Sequence, residues 1–295
     1  MKKWIVLLLA LVSMACAGAC AEDFALRGYD KKQGYQYIHL GEFPQDADGT
    51  DRPILWRVLS VDDKHAYLLS EYILFNNRVH PDDNEYIAFN AAFNQTEMFR
   101  LLNGPFEGNP ISKEEQEQLK AKERLGRVHL AEVCFKDQAF TALEQSMLIS
   151  DDALGMAFLV TADDLKNSMM GFSSDKQRQA WGTEYAVANG LFKYQNGTSP
   201  YWTRSQSVSY SYATRCTKVD GALGYIRCVV MNEGCRPAIR LSLEGLSPLG
   251  GSGPMEDPYP FSRCVTHDEE KHCCMSADGG FYLCVLGRCL RFSSA

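Results

Sequence analysis

Short apolar blocks separated by polar turns dominate the first third of the chain. YQYIHLGEF (35–43) alternates in polarity, DADGTD (46–51) is polar, and PILWRVLSV (53–61) is almost wholly apolar. Asp62-Asp63-Lys64 makes another break before HAYLLSE (65–71). Alternation and short apolar runs bounded by turn residues predict an antiparallel meander of strands. The period then lengthens. Residues 88–102 have an amphipathic helical rhythm that stops at Asn103-Gly104-Pro105. SKEEQEQLKAKERLG opens on Ser112 with Glu115 three residues on, a capping-box pattern. Residues 137–149 predict a further helix, MAFLV (156–160) a buried strand, and Thr161 to Asp164 an N-cap. Residues 174–191 predict a helix broken near Gly182 and closed at Asn189-Gly190.

Strands return near residue 201. YWTRS predicts a short strand, and residues 211–219 and 224–232 flank the turn Asp220-Gly221-Ala222-Leu223. A hairpin symmetric about residue 222 places Cys216 opposite Cys228, within disulfide reach. A one-residue slip would instead leave two unpaired thiols on different faces. CRPAIRLSL (235–243) supplies a last strand of the main body. Residues 247–261 are rich in Gly and Pro and predict a linker, and residues 262–295 hold five Cys. That cysteine density predicts a small stapled appendix. The resulting organisation is a leader (1–21), a main α+β domain (35–246), the linker (247–261) and a Cys-rich tail (262–295).

The leader changes the expected compartment. Lys2 and Lys3 precede the apolar run Trp4 to Val12, and Ala19-Cys20-Ala21 fits a small-x-small cleavage site. This predicts a secretory signal, because the run is too short to span a bilayer. Ala17-Gly18-Ala19-Cys20 offers an alternative in which a lipidated Cys20 anchors the chain. No second long apolar run follows, so no transmembrane segment is expected in the mature chain. The formal net charge is −7 at pH 7, and losing Lys2 and Lys3 makes it more negative. An acidic surface without a basic stripe argues against nucleic acid as a partner. Of 11 Cys, Cys16 and Cys20 fall in the leader, so an odd number remains. Export makes disulfides the default for most of these, with at least one free or intermolecular thiol.

Several segments together resemble a bacterial family catalogued as domain of unknown function 6273. They are GEFPQ, PILWRVL, AYLLSE, NQTEMFRLLNGPF, TEYAVANGL, YWTRS, the strand and turn from Ala213 to Gly221, and GCRPAIRL. Their order and spacing over residues 36–244 carry the resemblance. The closing half also resembles C-type-lectin-like and sulfatase-modifying-factor folds. That likeness implies an α+β fold with a twisted antiparallel sheet and flanking helices. It also implies Tyr201 and Trp202 as core or rim aromatics, and Arg204 and Arg236 as anchors in the terminal sheet. Formylglycine-generating enzymes of that wider fold carry a paired-cysteine site in a region comparable to Cys228 and Cys235, but the surrounding motif does not match.

The remaining chemistry is sparse. Asp46, Asp48 and Asp51 place carboxylates close together, as a calcium ion requires, and equally suit a polar turn. Cys264, His267, His272, Cys273 and Cys274 have zinc-ligand spacing, against which an exported chain favours disulfides. Cys284 and Cys289 flank Leu286-Gly287 and suit a bridged hairpin. No serine elbow, His-Glu-x-x-His helix or Cys–His arrangement of recognisable form is present, so no catalytic residue is assigned. Tyr210 and Tyr212, in a Tyr/Ser run beside Trp202, suit a surface that stacks on sugars or adapts to a protein. These features predict a secreted or surface-retained, non-catalytic module that recognises an extracellular glycan or protein. The alternatives are a formylglycine-generating type of enzyme with a reactive Cys228 or Cys235, and a structural surface protein cross-linked through its odd thiol.

Overall fold

A computed structural model describes residues 26–79, 92–105, 134–207, 213–227, 232–244, 246–248, 251–266, 272–276, 281–285 and 288–291. The expected meander is present as β1 (Tyr37–Pro44), β2 (Asp51–Val61) and β3 (His65–Ser70), each antiparallel to the next. β2 carries six consecutive buried residues, Ile54 to Leu59, because apolar layers cover both of its faces. One layer includes Ile38, Trp56, Leu68, Met98 and Phe135, and the other includes Leu59, Leu69, Phe158, Leu165 and Tyr201. Trp56 Nε1 donates to Leu40 O at 2.7 Å, so the largest core side chain also meets its polar need.

The helices are shorter than the periodicity suggests. α1 (Glu97–Asn103) is capped by Thr96, whose hydroxyl accepts from Phe99 N at 3.0 Å. The helix expected over 137–149 is two helices, α2 (Phe135–Ala139) and α3 (Ala142–Met147), parted at Phe140. A capping box explains the break. The Thr141 hydroxyl accepts from Glu144 N while Glu144 accepts from Thr141 N at 2.8 Å, which starts a new helix inside the apolar run. The strand β5 (Ala157–Leu159) follows, and α4 (Asp175–Arg178) and α5 (Glu184–Ala188) lie on either side of the break expected near Gly182, with Asn189 closing α5 as expected. The helix expected from Ser112 lies outside the described residues.

Two sheets are formed where one was expected. The large sheet runs β15-β14-β13-β12-β1-β2-β3-β10-β5, with β11 (Leu246–Pro248) beside β12. Here β10 is Pro237–Ser242, β12 Tyr259–Thr266, β13 His272–Ser276, β14 Phe281–Val285 and β15 Arg288–Arg291. The small sheet runs β4-β9-β6-β7-β8, made from Phe75–Asn77, Glu233–Cys235, Tyr201–Gln206, Ala213–Thr217 and Leu223–Arg227. Each sheet is mixed, because β1 pairs parallel with β12 and β6 pairs parallel with β9. The chain passes from the large sheet to the small one after β3, through residues 71–74, and returns between β9 and β10 at Arg236. Pro237 opens β10, where its missing N–H interrupts the ladder least.

The hairpin register differs from the symmetric expectation. Cys216 stands opposite Gly224, and Ala213 opposite Arg227. The turn is set by Asp220-Gly221, with Gly221 at φ 86° and Asp220 Oδ1 accepting from Ala222 N at 3.0 Å. An Asx turn followed by a left-handed glycine centres the loop nearer residue 220 than 222. Cys216 is a buried free thiol, while Cys228 lies outside the described residues. The segment expected as a linker contributes β11 and the start of β12, so strand pairing joins the main body to the tail.

Candidate functional site

Two regions stand out, one at the surface and one buried. The surface region begins where Thr183 caps α5, its hydroxyl accepting from Ala186 N at 3.1 Å. α5 ends at Asn189-Gly190, and Leu191 folds back so tightly that a Cβ on Gly182 would lie 2.3 Å from Leu191 Cδ2. A turn then closes between Tyr194 and Thr198. Tyr194 N donates to Thr198 O at 2.8 Å, and Gly197 N donates to Tyr194 O at 2.9 Å. Asn196 Oδ1 accepts from the Thr198 hydroxyl at 2.6 Å.

Thr198 also bridges antiparallel to Trp181, and Ser199 N donates to Ala180 O at 2.9 Å, so the turn is tied to the segment before α5. Gly197 sits against the indole, where a Cβ would lie 3.2 Å from Trp181 Cδ1. Around this pinned turn Trp181 is 43% exposed, Phe192 57% and Tyr194 47%. Lys193, Gln195 and Asn196 are exposed between and beside them. Apolar rings interleaved with amide and ammonium groups are the chemistry that a sugar's faces and hydroxyls require.

The buried region lies at the two chain crossings between the sheets. Arg57 of β2 makes a fork to Glu71, with Nε to Oε2 at 2.8 Å and Nη2 to Oε1 at 2.6 Å. Arg236 is 0% exposed. Its Nε donates to Ser70 O at 2.7 Å, its Nη2 stands 3.9 Å from Glu71 Oε2, and Nη1 and Nη2 have no hydrogen-bond partner among the described residues. Rings surround both cations, with Tyr35 centred 4.4 Å from the Arg57 guanidinium and Tyr201 5.3 Å from that of Arg236. Burial holds the Tyr35 and Tyr37 hydroxyls above the ordinary phenol range, so both are neutral near pH 7.

The residues singled out from the sequence are scattered. Tyr210 and Tyr212 lie outside the described residues. Asp46 is engaged by Arg52 at 2.6 Å and Asp48 by the Thr50 hydroxyl at 2.7 Å, so two of the three proposed calcium ligands serve the turn. Among the described residues no group of three or more His, Cys, Asp or Glu side chains is placed to hold a metal. Cys284 and Cys289 are direct register partners on β14 and β15, and Cys264 and Cys274 on β12 and β13. Tyr201 and Trp202 are fully buried, as Trp202 Nε1 donates to Asn77 O at 2.7 Å and the Tyr201 hydroxyl to Arg178 O at 2.9 Å. Cys235 is fully buried, and desolvation holds its thiol well above the ordinary range.

A family model described as Domain of unknown function (DUF6273) matches residues 63–243. The chain belongs to this family. No curated protein and no solved structure matches it. The DUF6273 match spans the aromatic turn together with Glu71 and Arg236, whereas Arg57, Tyr35 and Tyr37 precede it. Sequence reasoning missed Trp181, Phe192 and Tyr194. The available signal was three aromatics within a Gly/Asn-punctuated stretch too polar to bury them all.

Proposed function

We propose that this chain is an exported, non-catalytic recognition module that binds a glycan at the turn carrying Trp181, Phe192 and Tyr194. The observation that carries the reading is the exposure of three large aromatics around a backbone turn fixed by its own hydrogen bonds. A preset turn orders its aromatics in advance, so less side-chain entropy is lost on binding. The leader pattern supports the extracellular setting. A buried, protonated Cys235 is the opposite of what a nucleophilic thiolate requires.

A glycan array followed by titration of tryptophan fluorescence tests the proposal. Trp181→Ala is expected to weaken binding of the captured glycan at least tenfold and leave Tm within about 2 °C, since an exposed ring contributes little to folding. Tyr210→Ala and Tyr212→Ala belong in the same panel. Full retention of binding by Trp181→Ala and Tyr194→Ala would remove the turn from the site.

A further inference from the structure

The tail strands continue the large sheet, because β12 pairs with β1 through Ile38 beside Tyr259 and His39 beside Pro260. The ladders β12–β13, β13–β14 and β14–β15 then run without a register shift. Positions that face each other across a ladder, or lie two apart along a strand, share one face of a sheet. By that count Cys264, His272, Cys274, Cys284 and Cys289 share one face. Cys273 falls on the other, in a row with Val265, Leu283 and Leu290. On the shared face the cysteines form two directly facing pairs, Cys264 with Cys274 and Cys284 with Cys289. Facing positions in an antiparallel ladder have Cα atoms roughly 4.5–5.5 Å apart, which is the span of a disulfide. The zinc grouping suggested by the sequence is split, because Cys273 and Cys274 lie on opposite faces. Cys264 and Cys289 are three strand spacings apart, roughly 14 Å, too far to share one ion.

We propose that the tail is closed by two cross-strand disulfides, Cys264–Cys274 and Cys284–Cys289, with Cys273 left as a thiol on the opposite, apolar face. Each bridge forms by exchange with a disulfide oxidant of the exporting compartment. Two thiols give two electrons and two protons to that disulfide, one S–S bond forms in the chain, and the oxidant leaves as two thiols. A free Cys behaves as a small apolar side chain, so the row with Val265 and Leu283 suits Cys273 without a bridge. The two bridges tie β12 to β13 and β14 to β15, and the β13–β14 ladder between them carries no facing cysteine pair. The pairing rests on the exported setting proposed above and is independent of the glycan turn.

The test is a cysteine map of the full chain, reduced, denatured and refolded in reduced and oxidised glutathione. Free thiols are blocked with N-ethylmaleimide, and the chain is cut by trypsin and chymotrypsin and read by mass spectrometry. Cleavage after Lys271, Tyr282 and Arg288 separates the positions, and fragmentation of peptide 272–282 tells Cys273 from Cys274. The expected map links peptide 264–271 to 272–282 through Cys274, links the peptide holding Cys284 to the one holding Cys289, and finds Cys273 alkylated. Cys273→Ser is expected to leave both links in place, and Cys264→Ser to expose Cys274 alone to alkylation. If Cys264→Ser does not fold, the wild-type map decides the matter. A link that includes Cys273, a Cys264–Cys284 or Cys274–Cys289 link, or alkylation of all four cysteines, with or without one zinc ion per chain, overturns the proposal. Glutathione supplies the oxidant, so the map tests the pairing apart from export, which is read separately from the N-terminal residue of the chain recovered outside the cell.

Discussion

Glu233 is buried in β9 with its Oε2 unpartnered, and desolvation pushes its carboxyl up to about 7 from an ordinary 4.5. The unfolded chain therefore ionises this acid before the folded one does. Stability is fully present below about pH 4.5, falls as pH rises towards 7, and is constant above it. The loss is on the order of 3 kcal/mol. Glu233→Gln should remove that slope from urea titrations at pH 5, 6 and 7, and an unchanged slope would assign it to another group. Burial acts on two thiols in the same direction. Burial pushes Cys216 up to about 12 and Cys134 up to about 11. Native Cys216 should label at pH 8 on the order of a thousand times more slowly than a free thiol, and normally in denaturant. The sequence singled out Cys216 but could not reveal its inertness, which follows from burial in the folded sheet opposite Trp202 and from the nearby Glu233.

At the scale of elements, strands bounded by turn residues were legible, and the places where one apparent strand becomes two were not. The strand read over 65–71 takes in Glu71, and the strand read over 235–243 takes in Arg236. Each breaks at a charged residue, Glu71 in the first and Arg236 in the second, where the chain changes sheets. A charge inside an apolar run was the available signal. The hairpin between β7 and β8 was legible in existence but not in register, because the register depends on which residue takes the left-handed position. Gly221 takes it, and a Cβ there would lie 1.8 Å from Asp175 O. Gly221→Ala should cost about 2–4 kcal/mol by urea denaturation, combining backbone strain with a displaced α4. A cost below about 0.5 kcal/mol would mean that the turn re-forms around another residue.

For the molecule as a whole, the two sheets are braced at one corner. Glu71→Ala leaves Arg57 and Arg236 buried without a carboxylate and should cost about 3–5 kcal/mol. A loss of under about 1 kcal/mol in equilibrium unfolding would show that solvent already reaches the corner. The candidate glycan surface was invisible at this scale because it is made by the fold: Trp181 and Tyr194 meet at one turn only after Thr198 bridges back. The parallel pairing of β1 with β12 has a different kind of consequence. Until Tyr259 and Pro260 arrive, the Ile38–His39 stretch of β1 lacks its parallel partner, and an open edge of that kind recruits strands from other chains. A chain ending at Pro258 should therefore form concentration-dependent aggregates on refolding, seen by light scattering, under conditions where the full chain stays monodisperse. Among the described residues, the strand laid down early in synthesis is shielded on that edge by one laid down late, which ties protection against mispairing to the order in which the ribosome delivers the chain.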